Sequence, residues 1–172
     1  MMTLNFAFWT MVVLFAIVGA MRGWAKELLV TFSAILALFF IEIFSRYLPP
    51  VRSFFEPPND ATEFWVQTVI LIIMVLFGYS TPNLAKFASP KFARERFSDA
   101  LLGFFLGAFN GYLIFGSIWY FMIESGYPFP DYITAPTPDP WIVAYLPPAW
   151  LGIPTIYFAV AVAFLFVLVV FI

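Results

Sequence analysis

Four groups of side chains in this sequence have the type and spacing to do chemistry or to lock helices together. Glu42 stands inside a long apolar run, where an ionisable side chain is costly and marks a functional candidate. Arg46, four residues on, is placed to pair with it at an interface. Arg22, Lys26 and Glu27 crowd the interval between two apolar runs. One reading is positional: the cations hold a turn at the headgroups and Glu27 pairs locally. The other is a buried Arg22–Glu27 pair that locks two helices or lines a polar path. Asn110 lies mid-run, where a buried amide makes an interhelical hydrogen bond. A place in a pore is the alternative. Gly103, Gly107 and Gly111 recur at every fourth position and form one stripe on a helix, widened by Ala100 and Ala108. Small residues let backbones approach closely in lipid, within one bundle or against another chain.

The missing residue types exclude much. Cysteine and histidine are both absent. Disulfides, Cys- or His-ligated metal, haem, iron–sulfur clusters and Ser-His or Cys-His catalysis are therefore impossible on this chain. Acid–base work inside a membrane would need paired carboxylates. Only Glu42 falls clearly within a run; Glu27, Asp99 and Glu124 fall at ends. These facts argue against an enzyme and predict no metal and no cofactor, although Phe-rich faces could hold lipid, quinone or pigment without histidine ligation.

The elements that must position these groups are membrane helices. Of 172 residues, 63% are hydrophobic and 10% charged, against roughly 25% charged in soluble domains. So few charges cannot cover a surface in water. A span needs about 20 apolar residues. An all-α polytopic bundle of about five spans is predicted: 4–21, 28–44, 64–80, 101–123 and 155–172. Residues 1–124 form a four-helix membrane region. Residues 125–154 form a proline-rich surface loop, with tryptophan and tyrosine at headgroup depth and a short re-entrant or interfacial piece over 141–150. Residues 155–172 add a helix. Arg22 follows the first apolar run, so the N-terminus reads as a retained span rather than a cleavable signal. The last run reaches Ile172 without a flanking charge, so either the chain continues or the helix ends against partner protein.

Lysine and arginine in short loops set orientation. Arg22 and Lys26 in the first loop share a side with Lys86, Lys91, Arg94 and Arg96 in the third; Arg46 and Arg52 in the second oppose them. Loops one and three are predicted in the cytoplasm, with the N-terminus outside and the C-terminus inside. The net charge of −2 argues against nucleic acid as a partner. Expected partners are membrane lipid, other membrane subunits or a second copy.

Two stretches carry a family resemblance. Gly19-Ala20-Met21-Arg22-Gly23-Trp24-Ala25-Lys26-Glu27-Leu28 resembles the first turn of the colicin V production protein family. Asp99-Ala100-Leu101-Leu102-Gly103-Phe104-Phe105-Leu106-Gly107-Ala108-Phe109-Asn110-Gly111 resembles its second signature, Asp-x-x-Leu-Gly-x-x-x-Gly-Ala-x-x-Gly. Where the family commonly has arginine, this chain has Asn110. The resemblance covers roughly residues 4–123. It implies a small bacterial inner-membrane protein of about four spans, linked to colicin V export or production and to envelope homeostasis. Residues 125–172 read as an extension.

Two function classes follow. The leading one is a non-catalytic membrane protein acting through helix packing and protein contacts, either an accessory subunit of a larger complex or free-standing. The alternative is a component of a small-solute or ion transporter or channel, with Glu42, Asn110 and the Arg22–Glu27 turn along the path.

Overall fold

The computed structural model describes residues 4–48, 60–80, 96–129, 132–133 and 140–171. Within them the chain forms seven helices: α1 (Leu4–Arg22), α2 (Trp24–Tyr47), α3 (Asp60–Tyr79), α4 (Arg96–Glu124), α5 (Pro140–Ala144), α6 (Pro147–Trp150) and α7 (Thr155–Phe171). The loop cations Arg52, Lys86, Lys91 and Arg94 lie outside the described residues.

Each long helix buries one stripe and leaves another apolar stripe outward. On α1, Phe8, Val12, Ala16 and Gly19 are buried, while Phe6, Trp9, Val13 and Ile17 are exposed. Both sets follow helical spacing. A helix apolar on all sides belongs in a membrane or a large core. The outward Phe, Val, Ile and Trp side chains therefore meet lipid or other protein. Four helices (α1 to α4) are long and apolar enough to cross a membrane. The predicted fifth span coincides with α7, an apolar helix that runs to the last described residue.

The helix α4 is the hub. Its most extensive packing is on α1; it also meets α2 and α3, while α7 lies on α2. Consecutive helices α1 and α2 touch each other little. One core cluster joins Val30, Ala34 and Leu38 of α2 to Leu71 of α3, Leu113 of α4 and Ile156 of α7. A second joins Phe8 and Val12 of α1 to Trp119 of α4 and Leu146. Ring contacts Phe32–Phe166 at 5.4 Å and Phe39–Tyr157 at 6.1 Å run α7 antiparallel to α2.

Two local features differ from the sequence expectation, and a third concerns a segment whose placement the sequence leaves open. The charged turn over 22–27 contracts to a single break at Gly23, with φ 86° and ψ 156°. Glycine adopts that conformation without the penalty a Cβ brings. Glu27 therefore sits in the first turn of α2 rather than in a loop. The fourth span begins at Arg96, five residues earlier than expected, because polar Ser98 and Asp99 are accommodated where the helix leaves the apolar zone. In the proline-rich segment, α5 and α6 lie along α4. Pro147 packs on Gly116, the Trp150 indole N–H donates to the Tyr112 hydroxyl at 2.8 Å, and that hydroxyl donates to the Tyr145 carbonyl. Tyr112 is roughly 18 Å from Glu124 along the helix, so this piece packs against the side of α4 about halfway along it.

Candidate functional site

The residues singled out in the first charged interval and in the fourth span meet in one buried polar network. Glu27 is fully buried, with 0% exposure. Its Oε1 accepts from Arg22 Nη1 at 2.6 Å. Its Oε2 accepts from Asn110 Nδ2 at 2.8 Å, and the same amide donates to the Glu27 carbonyl at 2.9 Å. Thr31, one turn on, donates to Asn110 Oδ1 at 2.7 Å and lies 3.1 Å from the Glu27 carbonyl. Asn110 is likewise at 0% exposure. The Arg22 guanidinium sits 4.1 Å from the Tyr79 ring centre and donates from Nη2 to the Tyr79 carbonyl at 3.4 Å. Four helices are thus tied at one level: α1 by Arg22, α2 by Glu27 and Thr31, α3 by Tyr79, and α4 by Asn110.

Local sequence explains why these groups converge. Gly23 ends α1 directly after Arg22, so the guanidinium turns back over α2. The freed N–H of Trp24 donates to Asp99 Oδ1 at 3.1 Å, a helix cap supplied from α4. A Cβ on Gly23 would come within 2.8 Å and 2.9 Å of the Asp99 carboxylate oxygens. Arg22 offers the charge and fork geometry that a buried carboxylate needs. Breaking such a pair leaves an uncompensated charge and is strongly destabilising.

The glycine stripe sets the distance between helices. A Cβ on Gly103 would fall onto the Gly19 carbonyl; one on Gly107 would strike the Phe15 carbonyl and approach the Gly19 Cα to 2.9 Å. A Cβ on Gly111 would lie 3.0 Å from the Val12 Cα. The stripe therefore lies against α1 of the same chain along its whole length. That close approach brings α4 near enough for Asn110 to reach Glu27.

The other candidates stand elsewhere. Lys26 is exposed on the first turn of α2. Glu42 is half-buried and pairs with Arg46 at 3.4 Å. It lies roughly 22 Å along α2 from Glu27, so the two belong to opposite ends of the bundle. Around Glu42 the structure adds Glu63 and Gln67 of α3 and Glu124 of α4, all lining one cavity.

Sequence reasoning missed Thr31, Tyr79 and Gly19 as network partners, and Glu63 and Gln67 as neighbours of Glu42. Gly19 had a signal: it stands one turn before Arg22 in the same motif. Glu63 had one too, since counting up α2 and down α3 places it level with Glu42.

Among the described residues no group of three or more histidine, cysteine or acidic side chains is arranged to hold a metal. Comparison with curated proteins and with solved structures finds no match. The family model described as colicin V production protein matches residues 4–145, running beyond residue 123 through α5. With four apolar spans and both signature stretches built into one core, this multi-pass membrane chain belongs to the colicin V production protein family.

Proposed function

We propose that the chain is a non-catalytic protein of the bacterial inner membrane that acts through protein contacts, as an accessory subunit docked on a larger membrane complex. One observation carries this reading. The polar groups best able to do chemistry (Arg22, Glu27, Thr31 and Asn110) satisfy one another inside the bundle, while the outward surfaces are apolar. A network closed on itself holds shape. It presents no open acid–base pair to a substrate. The helix α7 supports docking, since its most extensive packing is on α2 and it exposes Phe158, Val162 and Leu165. No cofactor is required. The network end, with Arg22 and Lys26, faces the cytoplasm on the positive-inside rule.

Native gel electrophoresis of the tagged chain in mild detergent, with mass spectrometry of comigrating proteins, tests the proposal. A stoichiometric large complex is expected, and deletion of residues 155–172 should release the chain from it. Full retention after that deletion overturns docking through α7. A small homo-oligomer alone overturns the accessory reading and favours the transport reading, which the cavity around Glu42 would then serve.

A further inference from the structure

The piece formed by α5 and α6 fills a seam. Helices α1 and α2 touch each other little, and both pack on α4. The piece lies on α4 between them. Leu146, at its middle, is buried in the cluster with Phe8 of α1 and Trp119 of α4. Leu151, just past α6, is buried in the cluster that holds Leu38 and Ile41 of α2. Its outer side, with Tyr145 and Trp150, is exposed. Its inner side is a wall: Pro148, Leu151 and Gly152 close one flank of the cavity that Glu42, Glu63 and Glu124 line. A space of about 320 Å³ lies behind that wall, so packed side chains do not back it over its full width.

Two properties let this wall move as a unit. The first is a self-contained backbone. The N–H groups of Tyr145, Leu146, Ala149 and Leu151 donate to carbonyls of Ile142, Val143, Leu146 and Pro147 within the same piece. Pro147 and Pro148 have no N–H to satisfy. Unpaired backbone groups are costly in lipid, so a piece that pairs its own can shift there. The second is the kind of tie that holds it. Lipid tails are as apolar as leucine, so Leu146 and Leu151 pass from protein to lipid without the penalty that water would impose. Close fit and hydrogen bonds remain. Pro147 seats on Gly116, where a Cβ would lie 2.7 Å from the proline ring. Two hydrogen bonds to α4 meet at one oxygen: the Tyr112 hydroxyl accepts from the Trp150 indole at 2.8 Å and donates to the Tyr145 carbonyl. At the joint to α7, a Cβ on Gly152 would meet nothing closer than 3.8 Å, which leaves room to turn.

We propose that α5–α6 is a latched strap: release of the Tyr112 hydroxyl swings it off α4 and opens the cavity sideways to the bilayer. The structure holds the closed arrangement. The open one is a minority on the order of 0.1–10% of molecules, the range of an accessible second state. Opening is lateral because the strap lies along the side of α4, level with Tyr112 and Gly116, and not across its end. The strap thus sets when the interior of the bundle meets the lipid leaflet. This inference is independent of docking through α7.

Thiol labelling of the full chain in liposomes tests it. The sequence has no cysteine, so one introduced thiol reads without background. Ile41→Cys places that thiol on the cavity wall. A pyrene maleimide partitions into the bilayer, and its rate of reaction at position 41 scales with the open share. Tyr112→Phe keeps the ring and removes the hydroxyl. It should speed labelling by about tenfold, two interhelical hydrogen bonds at roughly threefold each. Trp150→Phe removes one of the two and should speed it by about threefold. Leu71→Cys, fully buried and away from the cavity, reports general loosening and should label equally slowly with and without Tyr112→Phe. An unchanged rate at position 41 in the folded Tyr112→Phe chain overturns the proposal. An equal acceleration at position 71 overturns it too, because the bundle and not the strap has then loosened. So does an equal acceleration at position 41 with a water-borne, impermeant maleimide, because the opening is then to solvent at the end of the spans.

Discussion

Glu27 is fully buried and its carboxylate is paired with Arg22. Arg22→Met should therefore destabilise the bundle by about 3 kcal/mol, the range for stranding a buried charge. Glu27→Gln in the same chain removes the stranded charge and keeps an amide for Asn110, so the double variant should recover part of that loss. Denaturant titration in mixed micelles measures both. A double variant no more stable than Arg22→Met would refute the charge argument. The arginine expected by family habit at position 110 would bring a second cation to Glu27. Asn110 instead supplies a neutral amide that donates twice and accepts once. That arrangement matches a carboxylate already neutralised by Arg22. The sequence marked Arg22, Glu27 and Asn110 because polar groups are rare in these runs. It could not join them, since Glu27 and Asn110 are separated by 83 residues and nothing periodic links the two.

At the scale of the element, the glycine stripe gives a contrast within one protein. Gly103→Ala forces a methyl onto the Gly19 backbone and should cost about 1–3 kcal/mol by overpacking. Gly152→Ala should cost less than about 0.5 kcal/mol, because its nearest atom to an added Cβ is the Pro148 oxygen at 3.8 Å. Equal losses in thermal unfolding would show that contact with the Gly19 backbone does not set the cost at Gly103. Helix existence was legible from apolar runs, and all five predicted spans coincide with helices. Helix ends were not. The start of α2 depends on Gly23 and on a cap from Asp99, a partner 75 residues away. The placement of α5 and α6 along α4 depends on Tyr112, whose role is invisible in an aromatic-rich sequence.

For the whole molecule, orientation is the property the charges predict most directly. The chain has no cysteine, so single replacements report without background. Tyr132→Cys, at an exposed position beyond α4, should react with an impermeant maleimide on intact spheroplasts. Lys26→Cys should react only after permeabilisation. The reverse pattern would invert the topology. On the expected pattern the closed network would face the cytoplasm and the carboxylate cavity the opposite side, since the two lie at opposite ends of the bundle. A continuous polar path between them would have to cross Ala34, Leu71 and Leu113, each at 0% or fully buried in the central core.

The sparse contact between α1 and α2 bears on biogenesis. Neighbours in sequence, these helices are held together in space by α4. Until α4 is made, the Gly19 face of α1 lacks the helix it packs on in the finished fold. The ribosome must add the 75 residues from Trp24 to Asp99, roughly 4 to 15 s of synthesis, before the cap arrives. Through that interval the nascent hairpin is an unfinished clasp, its glycine face still without the α4 surface that closes it.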